Sequence, residues 1–361
     1  MTITHRPLLR RIAWTLAALA VYRAGGWIPL PGIDVNALAG RGDALGAIDR
    51  ISIMALGIIP MLSAMVVVEV ALTLIPRARA WASVPRNRAR LDGWIVAGAL
   101  VMAGLQASGI AVAFESLDGL VQQPGPAFHA GVVASLVAGT AIAMWLASAI
   151  TRHGVGYGVW ILVAAPHAIS LLQALIVQAA LWGPASPFTI AFSIGYLALC
   201  IAVLTVLAKA VPPLASTEDL LWTPVVAYAV ANWLLAGTLL LRWLVLPAGQ
   251  TGAFDQIIIS EGAALMPIIA IALVVFLRRR SLARPWTRFD RASAVFTALA
   301  LMGLVIAGGL LAQLPAHPLF PSPATALILA AVGLAIVQVL PNRGANAYST
   351  QASQIPPVKP I

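Results

Sequence analysis

The sequence predicts an all-α membrane protein with about ten transmembrane helices. Of its 361 residues, 61% are hydrophobic and only 9% are charged, and the mean hydropathy is +0.94. A soluble domain would hold roughly 45–50% apolar and about 25% charged residues, so the solvent of this chain is lipid. Because the bilayer core offers no water to backbone groups, the spans must be helices or a closed barrel. Apolar runs of about 20 residues indicate helices.

The order of the elements follows from the apolar runs, each bounded by charged residues or by proline and glycine. The ends of the seventh and eighth runs are the least sharply marked. In chain order the ten candidate spans are 12–30, 52–75, 93–114, 129–150, 158–183, 188–208, 221–241, 262–277, 292–314 and 323–340.

Arginines mark alternate ends of these spans. By the positive-inside rule the arginine-rich ends face the cytoplasm, which predicts that both termini are cytoplasmic. The arginines are Arg6, Arg10, Arg11, Arg77, Arg79, Arg86, Arg88, Arg90, Arg278, Arg279, Arg280, Arg284, Arg288 and Arg291. The opposite breaks hold Asp34, Asp43, Asp49, Glu115, Asp118, Asp255 and Glu261, with only Arg41, Arg50 and Arg242 against them.

Several classes of function find no support in the sequence. The net charge of +10 is explained by membrane orientation, so we expect no nucleic-acid partner. The single cysteine, Cys200, cannot form an internal disulfide. No CxxC pair, HExxH motif, phosphate-binding loop or nucleophile elbow is present. The sequence therefore predicts no enzymatic activity, no metal site and no cofactor.

Three segments carry a resemblance to a known family. They read IPLPGID at 28–34, SIMALGIIPMLSAMVVVE at 52–69 and SLVAGTAIAMWLASAITRHGVGYGVWILV at 135–163. Together with the topology, they resemble the SecY family, the channel subunit of the Sec protein translocase. The first half of the chain carries the resemblance well, whereas the second half matches mainly in helix count and orientation.

The resemblance implies two pseudo-symmetric five-helix halves, related as an inverted repeat, with an hourglass pore between them and a lateral gate to lipid. The N-terminal half would be residues 1–183 with spans one to five, and the C-terminal half residues 184–340 with spans six to ten. The polar, proline-rich tail at 341–361 is predicted to be a disordered cytoplasmic segment.

A plug-like segment is predicted at residues 35–51, which are too charged and too broken by glycine to cross lipid. The segment either re-enters the funnel as a plug or is an ordinary external loop, and composition alone does not separate these alternatives. The glycines concerned are Gly40, Gly42 and Gly46.

A pore ring of five aliphatic residues is implied by the resemblance. Apolar side chains can seal a pore by dewetting and can deform around a passing chain. Ile58, Leu62 and Val163 lie inside matching motifs, whereas Val226 and Leu329 are placed where the local match is weak. The alternative for each residue is ordinary packing or lipid contact.

The resemblance implies a lateral gate on the second span, and its candidate residues are Gly57, Pro60 and Glu69. Glycine and proline together allow a kink, which serves either a hinged gate helix or merely static packing. Glu69 replaces an uncharged polar residue that the family commonly carries there. It either alters gating or substrate choice, or is a protonated or paired carboxyl against a neighbouring helix. His167 is read as a proton-sensitive site or, preferably, as a histidine bonded to neighbouring backbone, and His129 suggests no role.

The cytoplasmic loops that dock the SecA motor or the ribosome in this family are short here, at 208–220 and 278–291. The second loop is interpreted primarily as an orientation signal and secondarily as a partner site. A SecE-like small subunit, and a SecG-like one, are implied by the resemblance alone, and docking of SecA or a ribosome stays open. The candidate partner contacts are Arg278, Arg279, Arg280, Arg284 and Arg288.

The predicted function is a SecY-like channel subunit that moves polypeptides across, or inserts them into, a bacterial-type inner membrane. Its short loops predict a specialised paralogue. Two alternatives remain at this point: a small-solute secondary transporter, which would show more polar groups at mid-membrane, and a non-conducting scaffold for a membrane complex.

Overall fold

The computed structural model describes residues 6–34, 51–117, 119–181, 187–210, 217–245, 265–277, 288–312 and 321–342. These residues form eleven helices, several turns and two isolated β-bridges. In chain order the helices are α1 (Arg6–Gly25), α2 (Ile59–Leu74), α3 (Pro76–Ala82), α4 (Pro85–Glu115), α5 (Pro126–His153), α6 (Gly158–Leu181), α7 (Pro187–Ala210), α8 (Thr217–Val245), α9 (Leu265–Leu277), α10 (Arg288–Ala312) and α11 (Pro323–Asn342).

Each of the ten predicted spans overlaps one of these helices, so the predicted order of helices is confirmed. The predicted start of the second span at residue 52 is wrong, because residues 51–58 form turns and α2 begins only at Ile59. The first helix ends at Gly25 rather than at residue 30. The short helix α3 was not predicted, since its arginines interrupt the apolar run.

Among the described residues, four helices are long and apolar enough to cross a membrane: α4, α5, and the segments Ile190–Lys209 of α7 and Arg291–Ala312 of α10. Helices α2 and α3 pass the same test together, but they meet at 115°. Shorter apolar helices are α9 and the segments Gly158–Ala174 of α6 and Pro323–Gln338 of α11. This is the pattern of a multi-pass membrane protein.

The contacts divide the chain into two compact units within α6. One unit holds the described residues up to Ala165, and the other holds those from Pro166 onward. The predicted boundary between residues 183 and 184 lies just beyond the other end of the same helix, and it stays a prediction.

The core of the first unit depends on small side chains of α4. This helix packs against both α2 and α5, and α1 packs against α5. One face of α4 presents an alanine at every fourth position, which lets neighbouring backbones approach closely. The alanine stripe consists of Ala99, Ala103, Ala107 and Ala111, all fully buried.

Helix α11 is the centre of the second unit, because α7, α8 and α10 all pack against it. Helices α7 and α10 are also tied by a hydrogen bond in which the Tyr196 hydroxyl donates to the Leu304 carbonyl oxygen at 2.7 Å. Gly308 makes room for this bond, since a Cβ there would overlap the Tyr196 hydroxyl.

A basic elbow connects α2 to α4 through α3. The chain is extended at Ile75 and turns into α3 at Pro76. The indole rings of Trp81 and Trp94 stack with 5.7 Å between their centroids, and the Asn87 side-chain amide donates to the Trp81 carbonyl at 3.0 Å. Exposed aromatic rings beside arginines are typical of a membrane interface. The arginines of the elbow are Arg77, Arg79, Arg86, Arg88 and Arg90.

Candidate functional site

Three chain segments form a cap at one end of the first unit: residues 26–34, 51–58 and 116–125, of which residue 118 lies outside the described residues. The first two pair in an antiparallel manner, because the Leu30 amide donates to the Ile51 carbonyl at 2.8 Å and the Ile53 amide donates to the Ile28 carbonyl at 3.0 Å. A β-bridge joins Pro29 and Ser52 in the same pairing.

The third segment of the cap pairs with the first. The Asp34 amide donates to the Leu120 carbonyl at 2.9 Å, and the Gln122 amide donates to the Gly32 carbonyl at 3.0 Å. Ile33 bridges Val121 between these bonds. The cap side chains join α4 and α5 in one apolar cluster that includes Leu30, Ile33, Ile51, Leu56, Leu120, Phe128, Val132 and Leu136.

The start of α2 is fixed by Gly57 and Pro60. Gly57 has φ +49°, in the left-handed region that favours glycine. A Cβ at this position would also lie only 2.5 Å from the hydroxyl of Tyr22 in α1. Pro60 lies in the first turn of α2, where a backbone N–H has no helical partner to lose.

The predicted kink at Gly57 and Pro60 is therefore wrong as a feature inside a helix. Gly57 belongs to the turn that precedes α2, and Pro60 belongs to the helix start. The role of both residues in a lateral gate stays a prediction.

Gly139 of α5 lets the turn before α2 lie directly on that helix. A Cβ at Gly139 would overlap the carbonyl group of Ile53. No side chain separates the two backbones at this point, so the position of α5 sets the position of residues 51–58.

The three pore-ring residues that lie in matching motifs are all buried in the first unit. Ile58 is 1% exposed and Leu62 is 6% exposed, and the two lie one helical turn apart at the start of α2. Val163 is buried in the first part of α6, where Trp160–Ala165 are all buried.

The other two ring candidates lie in the second unit. Val226 is buried in α8 and Leu329 is half-buried in α11, and these two helices pack against each other. Whether the five side chains form one ring stays a prediction.

Glu69 is half-buried in the second half of α2. Burial along this helix is concentrated before it, since the buried residues are Pro60, Leu62, Ser63, Ala64 and Val66. The carboxyl therefore lies where α2 leaves the core of its unit. The choice between a gating role and a structural carboxyl stays open.

The turn between α5 and α6 is held by α1. The Val155 amide donates to the Thr15 hydroxyl oxygen at 3.0 Å, and the Gly158 amide donates to the Thr151 hydroxyl oxygen at 3.0 Å. Tyr157 has φ +53° despite its side chain. Thr15 was not predicted from the sequence, because nothing near it in the chain points to Val155.

His167 pairs with a side chain, whereas the sequence favoured a hydrogen bond to neighbouring backbone. Its Nδ1 lies 3.1 Å from the Thr325 hydroxyl, which links α6 to α11 within the second unit. Ser322 caps α11, because its hydroxyl accepts the Thr325 amide at 3.2 Å. Thr325 is buried.

Glu115 and His129 form a pair that the sequence did not reveal. Oε2 of Glu115 lies 2.8 Å from Nε2 of His129, and Oε1 accepts the Gly125 amide at 2.7 Å. Both side chains are partly buried. The pair joins the last residue of α4 to the first turn of α5.

Some predicted features lie outside the described residues. These are the plug-like segment 35–51 except Ile51, the tail from residue 343 onward, and the arginines Arg278, Arg279, Arg280 and Arg284. Arg288 is the first residue of α10.

Comparison with known families decides the relationship of this chain. The SecY family model matches residues 52–342, which is most of the chain. The chain belongs to the SecY family. The resemblance predicted from the sequence is therefore confirmed. A SecY-family protein is a membrane channel component rather than a member of an enzyme family, and the solute-transporter alternative is not favoured.

Curated SecY proteins are similar over part of their length. The protein translocase subunit SecY of Buchnera aphidicola is 37% identical over 178 residues, covering 44% of this chain and 49% of that protein. The Escherichia coli subunit is 37% identical over 175 residues, covering 44% of this chain and 40% of that protein. The chain thus aligns with less than half the length of these relatives.

Solved SecY-type channels share the fold. A structure described as a protein conducting channel superimposes with a TM-score of 0.60 and 12% identity, covering 94% of this chain and 95% of the other. Sec61 from the canine ribosome-channel complex gives a TM-score of 0.59 and 13% identity with the same coverage. The predicted SecY-like all-α fold is confirmed.

Proposed function

We propose that this SecY-family protein is a protein-conducting channel subunit, which moves polypeptides across the inner membrane of a bacterial-type cell or inserts them into it. The observation that carries the proposal is the family match over residues 52–342, which includes the motif of Ile58 and Leu62. Family membership favours conduction over a scaffold role, because the apolar residues expected in the pore are present at the matching positions.

The proposed mechanism is passive. An extended polypeptide crosses a ring of Ile58, Leu62, Val163, Val226 and Leu329, whose aliphatic side chains exclude ions and water when no chain is present. Apolar segments of the cargo leave sideways into lipid past α2, the helix that carries Glu69. A partner motor, or the partitioning of those segments into lipid, supplies the free energy.

The short connections support a specialised paralogue with reduced docking surfaces. Helix α7 ends at Ala210 and α8 begins at Thr217, which leaves only residues 211–216 between them. This is shorter than the 208–220 loop expected from the apolar runs. A ribosome is held by cationic loops that meet phosphate, and this connection contains no cation.

The proposed partners are a SecE-like small membrane subunit, a SecG-like subunit and the translocated polypeptides. The basic run 278–291 is the candidate contact for a cytoplasmic partner, and whether that partner is a SecA-type motor or a ribosome stays open. Both termini are proposed to be cytoplasmic, because the arginines of the elbow and of the run before α10 fall on the same side of the predicted span count.

Site-specific crosslinking in cells tests the proposed function. A photoreactive residue replaces Leu62 in one protein and Val337 in another. Val337 is the control because it lies on the exposed side of α11. We expect crosslinks from Leu62, but not from Val337, to nascent or secretory polypeptides, since only Leu62 would line the path of the chain.

The same experiment can contradict the proposal. Crosslinks from Leu62 that reach only stable membrane proteins, while translocating chains accumulate in the cell, would favour the scaffold. Equal crosslinking of polypeptides from both positions would show that contact is not specific to the pore.

A further inference from the structure

One carboxylate secures the third segment of the cap. Glu115 is the last residue of α4, and each of its two oxygens has a hydrogen-bond partner across the connection to α5. Oε1 accepts the amide of Gly125, the residue before α5, at 2.7 Å. Oε2 lies 2.8 Å from Nε2 of His129 in the first turn of α5. The carboxylate thereby ties the end of α4, where the connection 116–125 begins, to Gly125 and His129, where the connection ends and α5 begins.

The closed connection holds the first segment of the cap. It carries Leu120, whose carbonyl accepts the Asp34 amide, and Gln122, whose amide donates to the Gly32 carbonyl. The Leu120 side chain is buried in the same apolar cluster as Ile33. A shift of the connection must therefore move residues 32–34 or break their backbone hydrogen bonds.

The first segment in turn holds the second, which leads into α2. Residues 28–30 pair with residues 51–53, and Leu30 and Ile51 share the cluster with Leu120. The second segment then passes through the Gly57 turn to α2. A continuous series of backbone bonds and buried contacts thus runs from Glu115 to the start of this helix.

We propose that Glu115 is a positioning residue of the channel. Its two hydrogen-bond partners, Gly125 and His129, are not pore residues, but through the cap it fixes the start of α2, where Ile58 and Leu62 lie. The inference rests on the proposed pore role of these two residues. The carboxylate suits the task because two donors converge on it in a partly buried place, and hydrogen bonds to a charged acceptor are the stronger kind.

Hydrogen exchange on the full-length protein in lipid nanodiscs tests the first half of the inference. Glu115→Ala removes both bonds, and we expect amide exchange in peptides covering 28–34 and 51–58 to be about tenfold faster, as loss of one charged hydrogen bond allows. Neither peptide contains Gly125 or His129, the two hydrogen-bond partners of Glu115. Glu115→Gln should restore slow exchange, because its side-chain oxygen can accept the Gly125 amide and its NH₂ group can donate to Nε2 of His129 in the imidazole tautomer that carries its proton on Nδ1.

Two further variants keep this test interpretable. His129→Ala removes only one of the two bonds, so its exchange rates should lie between those of wild-type and Glu115→Ala. Gln123→Ala changes an exposed residue of the same connection and should leave both peptides unchanged. Unaltered exchange in Glu115→Ala and His129→Ala would overturn the inference.

Ion flux through proteoliposomes tests the second half. We expect Glu115→Ala to raise the ion leak of the closed channel and Glu115→Gln to leave it near wild-type, with Leu62→Ser as the positive control. If Leu62→Ser leaks and Glu115→Ala does not, the inference fails and the pore role of Leu62 stands. If Leu62→Ser itself does not leak, the proposed pore role fails, and the inference fails with it.

Discussion

Gly57 and Gly139 fix the start of α2 from two sides. The backbone of Gly57 is left-handed, and the Tyr22 hydroxyl occupies the space that a side chain would need. Gly139 leaves a bare patch on α5, against which the Ile53 carbonyl lies. Both positions are governed by backbone approach rather than by side-chain chemistry, so even a methyl group is too large.

We expect Gly57→Ala to lower the free energy of unfolding by about 1–2 kcal/mol from backbone strain alone, with the contact to Tyr22 adding to the loss. Gly104→Ala is the matched control, because Gly104 lies in α4 with open space where its Cβ would be. Alanine there should be neutral or stabilising. Unfolding in a denaturing detergent measures both variants, and equal stability of the two would contradict the strain argument.

At the scale of single residues, the sequence marked Gly57 and Pro60 but not their structural role. Hydropathy does not separate an apolar turn from an apolar helix, so the turn before α2 was read as helix. Glu115, His129 and Thr15 were not given roles, because their partners are distant in the chain. The Thr15 hydroxyl and the Val155 amide are separated by 140 positions.

The turn between α5 and α6 is an element whose geometry depends on α1. The Thr15 hydroxyl donates to the Arg11 carbonyl in its own helix and accepts the Val155 amide from the turn. A Cβ at Gly154 would overlap the Thr15 hydroxyl, so the turn lies directly on that side chain. Helix α6, which carries Val163, starts from this turn.

We expect Thr15→Val to loosen the turn without disturbing α1. The variant removes the hydrogen bond from the Val155 amide to the Thr15 hydroxyl, so hydrogen exchange at residues 154–158 should become about fivefold faster. Thr205→Val is the matched control, since the Thr205 hydroxyl also donates to a carbonyl four positions earlier, that of Ile201. A similar change at 154–158 in both variants would contradict the assigned role.

At the scale of elements, the apolar runs predicted the helices well because each run must satisfy its backbone internally in lipid. Helix ends were predicted less well. Helix α3 escaped prediction because Arg77 and Arg79 make it polar, and its existence depends on Pro76 and on the stacking of Trp81 with Trp94. The stacking joins residues of two different helices, so the hydropathy of α3 alone does not reveal it.

The whole molecule is a SecY-family fold whose channel function is proposed to depend on side chains from both units. The family and its fold could be predicted because the motifs of the first half are specific. The predicted division into halves between residues 183 and 184 stays a prediction. Sequence breaks mark ends of apolar runs, whereas the contacts divide the chain inside α6, between Ala165 and Pro166.

Serine substitutions test the ring across both units. We expect single changes to Ser at Ile58, Leu62 and Val163 to raise ion leak in proteoliposomes, because a polar group favours wetting of a narrow apolar pore. Val226→Ser and Leu329→Ser should leak too if their placement is right. Val101→Ser, on the exposed side of α4, is the control. If Val226→Ser and Leu329→Ser are the only ring variants that cause no ion leak, the ring residues of α8 and α11 lie at neighbouring positions of those helices instead.

The alanine stripe of α4 limits the substitutions that this helix can accept during evolution. All four of its alanines have no exposed area, and three of them pack in the same cluster as α5 and the cap, while Val101, Leu105 and Val112 are exposed. Added volume on the stripe would push neighbouring helices apart, whereas exposed positions can exchange one aliphatic side chain for another. Substitutions tolerated in α4 should therefore be confined to one side of the helix.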